Sequence, residues 1–426
     1  MTVDILLAVM NDTIMGQVER RRGGRLSFRY SAEWLARSPF PLSHSMKLSD
    51  QEYPHRLIAN YLWGLLPDSE QVIRTWAQRF QVGPTNVFGL IANVGTDVAG
   101  AVGFVRPEAL DAYLADERLE PLTEADIASR IRELRQDAAM ARRAQDVGKI
   151  SLAGAQAKTA FQKTPEGWAL PAGRAPTTHI FKVPRPELGG HVENEHFCLR
   201  LARRVGLPAV ESQVCAFEDE IAIVIARYDR VERDGRILRR HQEDLCQALG
   251  KHPTEKYEND GGPSVPDIMQ VLNGSRRPET DRTRFMASIT YNFLIGGTDA
   301  HAKNYALVMG LNSTLQLAPL YDLTSIFPYV DRYNDVRMAM KIDRHYKCAK
   351  IFPRHFANMA RRCVFPAERM LDTLRDQARQ LPDLAVDTAR EVRAEGVDHP
   401  VIDSLVDGIS RQCEAVLRRV ELERVG

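Results

Sequence analysis

Long apolar runs are missing from this chain. No stretch approaches the length of a membrane span, so a membrane location is not expected. An excess of one charge is missing too. Lys plus Arg number 57 and Asp plus Glu 56, a formal net charge of +1, whereas a strong independent nucleic-acid binder carries a large basic surplus. Cysteine is sparse and badly spaced for chemistry. The six (Cys198, Cys215, Cys246, Cys348, Cys363 and Cys413) include no CxxC pair, and the nearest two, Cys348 and Cys363, are 15 residues apart. That spacing excludes the common zinc motifs and argues against a disulfide framework; buried free thiols in a reducing cytoplasm fit better. The opening segment Met1 to Met10 lacks the basic flank of a secretion signal, and its apolar run of about six residues stops at Asn11 and Asp12. There is no G-x-x-x-x-G-K-[ST] phosphate loop, no tandem repeat and no low-complexity tract.

What is present is a globular composition, 44% hydrophobic and 27% charged over 426 residues, long enough for two or three domains. Ile5 to Met10, Ile14 to Val18 and Leu26 to Tyr30 read as strands, separated by turns at Asn11-Asp12 and Gly23-Gly24. Helices are expected over Tyr53 to Trp63 and Ser69 to Phe80, then a turn and short strand around Gly100. Thr123-Glu-Ala-Asp126 is a capping box that opens a polar helix running to about Arg143. A boundary is placed near 145. Ile150 to Gly154 reads as strand and turn, with further strands at Lys158 to Gln162, His179 to Val183 and Glu220 to Arg227. Asn194 to Val205 has helical spacing, with Gly206 as its stop. From 243 the pattern is mostly helical, interrupted at 252–264 and 273–281, and 366–381, 384–394 and 401–420 are read as separate helices.

The strongest chemical signal is Asp299 followed by Asn304 and then Asp322. Asp-x-x-x-x-Asn is the spacing of a protein-kinase catalytic loop. Asp299 accepts the proton of an attacking hydroxyl, while Asn304 and Asp322 offer oxygens to Mg²⁺, a hard cation that takes hard ligands. The run between them reads as a hairpin turning at Gly310 to Ser313, which returns Asp322 toward Asn304. His301 either orients Asp299 and its loop or is a satisfied structural histidine. Lys303 either neutralises a γ-phosphate or is a surface lysine.

A second signal is Ser151-Leu-Ala-Gly-Ala-Gln-Ala-Lys158, a small-residue turn able to press backbone amides against phosphates. Ser151, Leu152, Ala153, Gly154, Ala155, Gln156 and Lys158 are therefore candidate nucleotide contacts; ordinary tight packing is the competing reading. Lys182 sits in an apolar strand, where a buried ammonium needs a phosphate partner or must snorkel to an edge. Glu195 is a candidate clamp for Lys182, with Glu193 as its rival. Arg227, Tyr228 and Asp229 lie where a lobe hinge belongs: the backbone there reads an adenine edge beside Tyr228 and Asp229 reaches a ribose, or the segment is a strand end with a solvated charge pair.

These blocks, together with Thr177-Thr-His-Ile-Phe-Lys182, Glu193-Asn-Glu195, Arg227-Tyr-Asp-Arg230, His241-Gln-Glu-Asp-Leu-Cys-Gln247, Tyr257-Glu-Asn-Asp-Gly-Gly-Pro263, Gly297 to Asn304 and Pro319-Leu-Tyr-Asp322, resemble the HipA family of serine/threonine kinases, bacterial toxins of toxin–antitoxin pairs. Trp34-Leu35, Pro41-Leu42-Ser43 and Leu65-Leu-Pro-Asp-Ser69 extend the likeness into the N-terminal part. The resemblance implies Asp299 as base, Asn304 and Asp322 on Mg²⁺, Lys182 on the ATP phosphates, and autophosphorylation at Ser151 that silences the enzyme. It implies a protein substrate, in known members an aminoacyl-tRNA synthetase such as the glutamyl enzyme. It also implies a helix-turn-helix antitoxin of HipB type, through which operator DNA is reached. One departure is Ala226, where members often carry glutamate.

The expected fold is α/β (α+β): a two-lobed protein-kinase-like fold with an added N-terminal β/α subdomain over 1–145, a sheet lobe over 146–230 and a helical lobe over 231–426, with ATP between the lobes. Two rival readings stand beside it. One is a small-molecule kinase with the same metal loop. The other is a mainly non-enzymatic co-repressor partner, with Arg20-Arg-Arg22 and Arg142-Arg143 on DNA phosphates.

Overall fold

A computed structural model describes residues 3–37, 40–141, 151–331 and 335–425. The chain forms two compact units. The first comprises 1–183, 215–255 and 306–315, and the second 184–214, 256–305 and 316–426.

In the first unit, β1 (Asp4–Met10), β2 (Thr13–Arg20), β3 (Leu26–Tyr30) and β4 (Val102–Val105) form an antiparallel sheet in the order β3-β2-β1-β4. The three expected strands are all here, and Asn11, Gly23 and Gly24 take the positive φ that their tight turns need. Helices at His55–Gly64, Glu70–Arg79 and Val87–Val94 share a core with this sheet, filled by Leu6, Phe28, Tyr61, Trp76, Phe88 and Phe104. Ser69 caps the second of these helices by accepting from the Val72 amide. The third was not expected: seven of its eight residues are buried, which erases the one-sided stripe that marks a helix. Arg20 and Arg21 pair with Asp4 and Glu52.

The capping box at Thr123 is present, with both reciprocal bonds formed. Its helix closes at Gln136, short of the expected Arg143; Arg142, Arg143 and the boundary near 145 lie outside the described residues. A six-stranded sheet follows, made of β5 (Leu119–Leu122), β6 (Lys158–Thr164), β7 (Gly167–Pro171), β8 (His179–Lys182), β9 (Ser212–Phe217) and β10 (Glu220–Ala226) in the order β5-β7-β6-β8-β10-β9. The expected strand at 150–154 is absent from the described part of that span. Ser151 to Ala157 instead form an irregular loop, touching strand geometry only where Gly154 bridges Pro67. The hairpin β11 (Arg230–Arg233) and β12 (Arg236–Arg239) leads to β13 (Gln242–Asp244), β14 (Ala306–Gly310) and β15 (Thr314–Leu317), a sheet in that order. The expected turn falls between β14 and β15, with Asn312 and Ser313 at φ 58° and 55°.

The second unit is largely helical: His191–Arg204, Val265–Leu272, Pro278–Ile295, Pro353–Arg362, Ala367–Ala394 and Val401–Val425. Phe293 and Phe356 meet edge to face at 5.3 Å, within a core that includes Phe285, Leu374, Leu381 and Ile402. The expected break between 381 and 384 does not occur. Pro382 stands inside one 28-residue helix, which keeps its apolar stripe of Leu374, Ala378, Leu381 and Ala385 on the core despite the lost amide. A short β-ribbon, β16 (Arg337–Ile342) with β17 (His345–Lys347), interrupts the expected run of helices. Among the described residues, no helix is long and apolar enough to cross a membrane.

Candidate active site

The loop that carries Asp299 is set by two glycines. The helix Pro278–Ile295 ends at Gly296 in the left-handed conformation, φ 71°. At Gly297 a Cβ would lie 2.4 Å from Asn292 Oδ1, so no other residue fits without displacement. The chain then exposes Asp299 and folds back in a 3-10 turn at Ala302–Asn304. Two donors converge on the Asp299 backbone carbonyl: the His301 amide at 2.8 Å and Asn304 Nδ2 at 2.9 Å. Because Asn304 spends its NH₂ on that carbonyl, its amide oxygen remains for a cation. The Asp299 carboxylate accepts from the Tyr257 hydroxyl at 2.7 Å. His301 is buried beneath Tyr257, the rings 4.9 Å apart and nearly perpendicular. Lys303 is 6% exposed, which removes the surface-lysine alternative.

Asp322 sits at φ 53°, a conformation that costs a non-glycine residue strain. The surrounding contacts hold it there. The hydroxyl of neighbouring Tyr321 donates to the Lys303 carbonyl at 2.8 Å, which draws the segments carrying Asp322 and Asn304 together. The Ile326 amide donates to the Gly296 carbonyl at 3.0 Å. Asn194 exchanges two hydrogen bonds with the backbone of Ser325. An amide oxygen and a carboxylate on linked segments are the donor set that Mg²⁺ takes when phosphate oxygens and water complete its shell. No cluster of three or more His, Cys, Asp or Glu residues suited to a metal occurs among the described residues. The second unit also holds Glu193 and Glu195, both buried on the helix His191–Arg204.

In the first unit, Lys158 and Lys182 are direct cross-strand partners of β6 and β8. Opposed residues of an antiparallel pair share a face, so two buried ammonium groups stand on one side of the sheet. Gly154 has φ 106°, and Lys158 Nζ lies only 2.6 Å from where its Cβ would be. The loop between them is tied down by the Ser151 amide to Asp97 O (3.1 Å), the Asp68 amide to Gly154 O (3.1 Å) and Gln156 Nε2 to Val183 O (2.9 Å). Ala153 and Ala155 add no bulk. The side chain of Leu152 joins the sheet core, leaving only its backbone for a ligand.

Arg227 and Asp229 do not form a solvated pair, and Asp229 does not present itself to a ribose. Both are buried in an ion cluster. Arg227 binds Asp229 through Nε and Nη2 at 2.9 and 2.8 Å. The Gly100 amide donates to Asp229 at 2.7 Å. Arg230 and Arg239 bind Asp97 at 2.8 and 3.0 Å, and Thr177 donates to Asp97 through both its amide and its hydroxyl. Burial alone raises the Asp229 carboxyl, but the guanidiniums of Arg227 and Arg230 outweigh it and hold the group at about 2. This segment therefore offers a nucleotide its backbone and Tyr228, whose hydroxyl donates to Gln242 Oε1 at 2.8 Å. Asp97, Tyr257 and Tyr321 hold positions in these networks that no local sequence pattern announces. Tyr257 and Tyr321 both fall in blocks that carry the family likeness, and that was the available signal.

Comparison with known proteins places the chain among its relatives. Residues 6–105 match the HipA N-terminal domain, and residues 150–385 match the HipA-like C-terminal domain. The protein Y4mE of Sinorhizobium fredii is 36% identical over 357 residues, covering 82% of this chain and 84% of that one. The serine/threonine-protein kinase toxin HipA of Shewanella oneidensis is 30% identical over 371 residues, 83% of this chain and 82% of that one. A solved complex of Shewanella oneidensis HipA, HipB and operator DNA contains a chain of TM-score 0.85 and 27% identity, with 100% of both chains covered. The fold is the two-lobed kinase-like one with an N-terminal β/α subdomain and a helical C-terminal lobe, and this chain belongs to the HipA family of serine/threonine kinases.

Proposed function

We propose that this chain transfers the γ-phosphoryl group of ATP to a serine or threonine hydroxyl of another protein, as the toxin of a toxin–antitoxin pair in the cytoplasm. The observation that carries this reading is the lock between two segments: Asn304 Nδ2 on the Asp299 carbonyl and the Tyr321 hydroxyl on the Lys303 carbonyl. It supports a base and two metal-binding oxygens acting as one set. Bound with Mg²⁺, ATP supplies the group to be transferred. Asp299 takes the proton of the acceptor hydroxyl, Asn304 and Asp322 hold the cation, and Lys303 balances phosphate charge; within the first unit, Lys158 and Lys182 are the proposed nucleotide contacts. His301 supports the Asp299 loop from beneath. Phosphoryl transfer of this kind rests on positioning and charge neutralisation more than on covalent chemistry.

The finer reading rests on the solved relative for the partner and on the family resemblance of the sequence for the acceptor and the self-phosphorylated serine. The Shewanella oneidensis protein was solved with HipB and operator DNA, so a helix-turn-helix antitoxin of that type is the proposed partner, with DNA reached through it. An aminoacyl-tRNA synthetase is the proposed acceptor, and Ser151 the proposed site of self-phosphorylation. The test is incubation of purified wild type and Asp299→Ala with radiolabelled ATP and Mg²⁺, followed by phosphoproteomics after brief induction of each. Label on wild type alone, with new phosphoserines on a synthetase, is expected. Equal label on both proteins overturns the assignment, and label confined to a small molecule replaces it with a metabolite kinase.

A further inference from the structure

We infer that Tyr257 is a positioning residue for phosphoryl transfer, holding Asp299 in its working orientation; this rests on the reading of Asp299 as the base. Asp299 is exposed on a loop. The donors from His301 and Asn304 fix its backbone carbonyl, but neither constrains rotation of the carboxylate. Among the described residues, the one side-chain bond to that carboxylate comes from the Tyr257 hydroxyl, 2.7 Å from Oδ1. An unrestrained aspartate spends much of its time in rotamers that cannot meet an acceptor, so a fixed one reacts faster.

Tyr257 is itself held rigidly. Its ring stands on buried His301. The amides of Asp260 and Gly262 both donate to its carbonyl at 3.0 Å, and the Ala302 amide donates to the adjacent Lys256 carbonyl at 3.3 Å. The two ends of the Tyr257–Asp299 bond thus come from backbones that are already tied to each other. Tyr257 and Asp299 also line a cleft of about 360 Å³ with Thr298, Asp260, Arg337 and Tyr346. With Oδ1 engaged by the phenol, Oδ2 is the oxygen left for an acceptor hydroxyl entering that cleft. As the acceptor O–P bond forms and the bond from the γ-phosphorus to the β–γ bridging oxygen breaks, ADP leaves and the hydroxyl proton passes to Oδ2.

The test is Tyr257→Phe, which keeps the ring and its packing and removes only the donor. The readout is the rate of radiolabel transfer from Mg-ATP into the chain itself. A fall of about 10- to 100-fold is expected at saturating ATP, the usual effect of losing a hydrogen bond to a charged group. The half-saturating ATP concentration and the melting temperature should be unchanged. In an Asp299→Asn background, where the residual rate is measured, Tyr257→Phe should cause no further loss, because the tyrosine acts only through the aspartate. A wild-type rate in Tyr257→Phe while Asp299→Asn is crippled overturns the inference and leaves the base assignment standing. So does a loss that adds fully to that of Asp299→Asn. A wild-type rate in Asp299→Asn overturns the base assignment, and the inference with it.

Discussion

The hydroxyl of Ser151 donates to the carbonyl of Leu65 at 2.8 Å, and Ser151 is 1% exposed. A phosphate, with about two negative charges and three acceptor oxygens, has no room there. Modification of Ser151 therefore requires the loop to leave Leu65, Asp97 and Asp68, and it prevents the loop from returning.

Ser151→Glu is accordingly expected to free the segment 151–158, seen as faster limited proteolysis within it and a lower melting temperature. Ser151→Ala keeps the loop in place and loses about 1 kcal/mol for the missing bond. Phosphopeptide mapping of the active wild type should place label at Ser151, and label found elsewhere would refute this account.

Asp322→Asn tests the metal set with little cost to folding, since asparagine tolerates the left-handed backbone that Asp322 adopts. The transfer rate should fall about 100-fold or more, the half-saturating Mg²⁺ concentration should rise, and the melting temperature should hold. Asn304→Ala should cause a similar loss, because it removes both the proposed cation ligand and the brace on the Asp299 carbonyl. Unaltered Mg²⁺ dependence in both variants would remove these residues from the cation site.

The cluster of Asp97, Asp229, Arg227, Arg230 and Arg239 predicts an acid limb to stability. A depressed carboxyl stabilises the fold above its unfolded value of about 3.9 and loses that contribution as pH falls through its folded value, about 2 for Asp229. Unfolding midpoints in denaturant should therefore drop steeply between these values. Asp97→Ala should cost about 3–5 kcal/mol at neutral pH by stranding buried guanidiniums. Chemical denaturation of the variant checks both the loss and the weakened acid limb.

Glu243 predicts a second limb with the opposite sign. It is fully buried, its Oε1 accepting from the His44 amide at 2.7 Å while Oε2 has no hydrogen-bond partner among the described residues. Burial pushes its carboxyl up to about 8. The folded chain keeps a proton that the unfolded chain releases above about 4.3. Stability should thus decline as pH rises from there to about 8, by at most about 1.4 kcal/mol per pH unit, and then level off. Glu243→Gln should flatten this decline, as measured by unfolding free energy across pH. An unchanged slope would show that Glu243 is ionised in the fold.

What could be read from the residues was what repeats or punctuates. The strands of the first sheet alternate and are bounded by Asn11 and by Gly23-Gly24, and the box at Thr123 is a local signal complete within four residues. Asp299 and Asn304 stand out as candidates because Asp-x-x-x-x-Asn is the spacing of a kinase catalytic loop, and Asp322 because a hairpin follows Asn304. The helix Val87–Val94 was hidden because it is buried almost all round. Pro382 suggested a break that packing overrode. The ion cluster was invisible for a different reason: Asp97 meets Arg230 and Arg239 across 133 and 142 residues of chain, and no local pattern reports a partner so distant. The bond from Tyr257 to Asp299, 42 residues further on, is equally beyond local pattern, although Tyr257 falls in a block that carries the family likeness.

The backbone at Asp322 has a consequence beyond the reaction itself. At φ 53° glycine fits without a steric penalty, and aspartate is one of the few other residues that enter this region. Asp322→Gly would therefore keep this backbone conformation while removing the carboxylate. That one substitution separates what the side chain at 322 does for a cation from what the backbone there does for the fold.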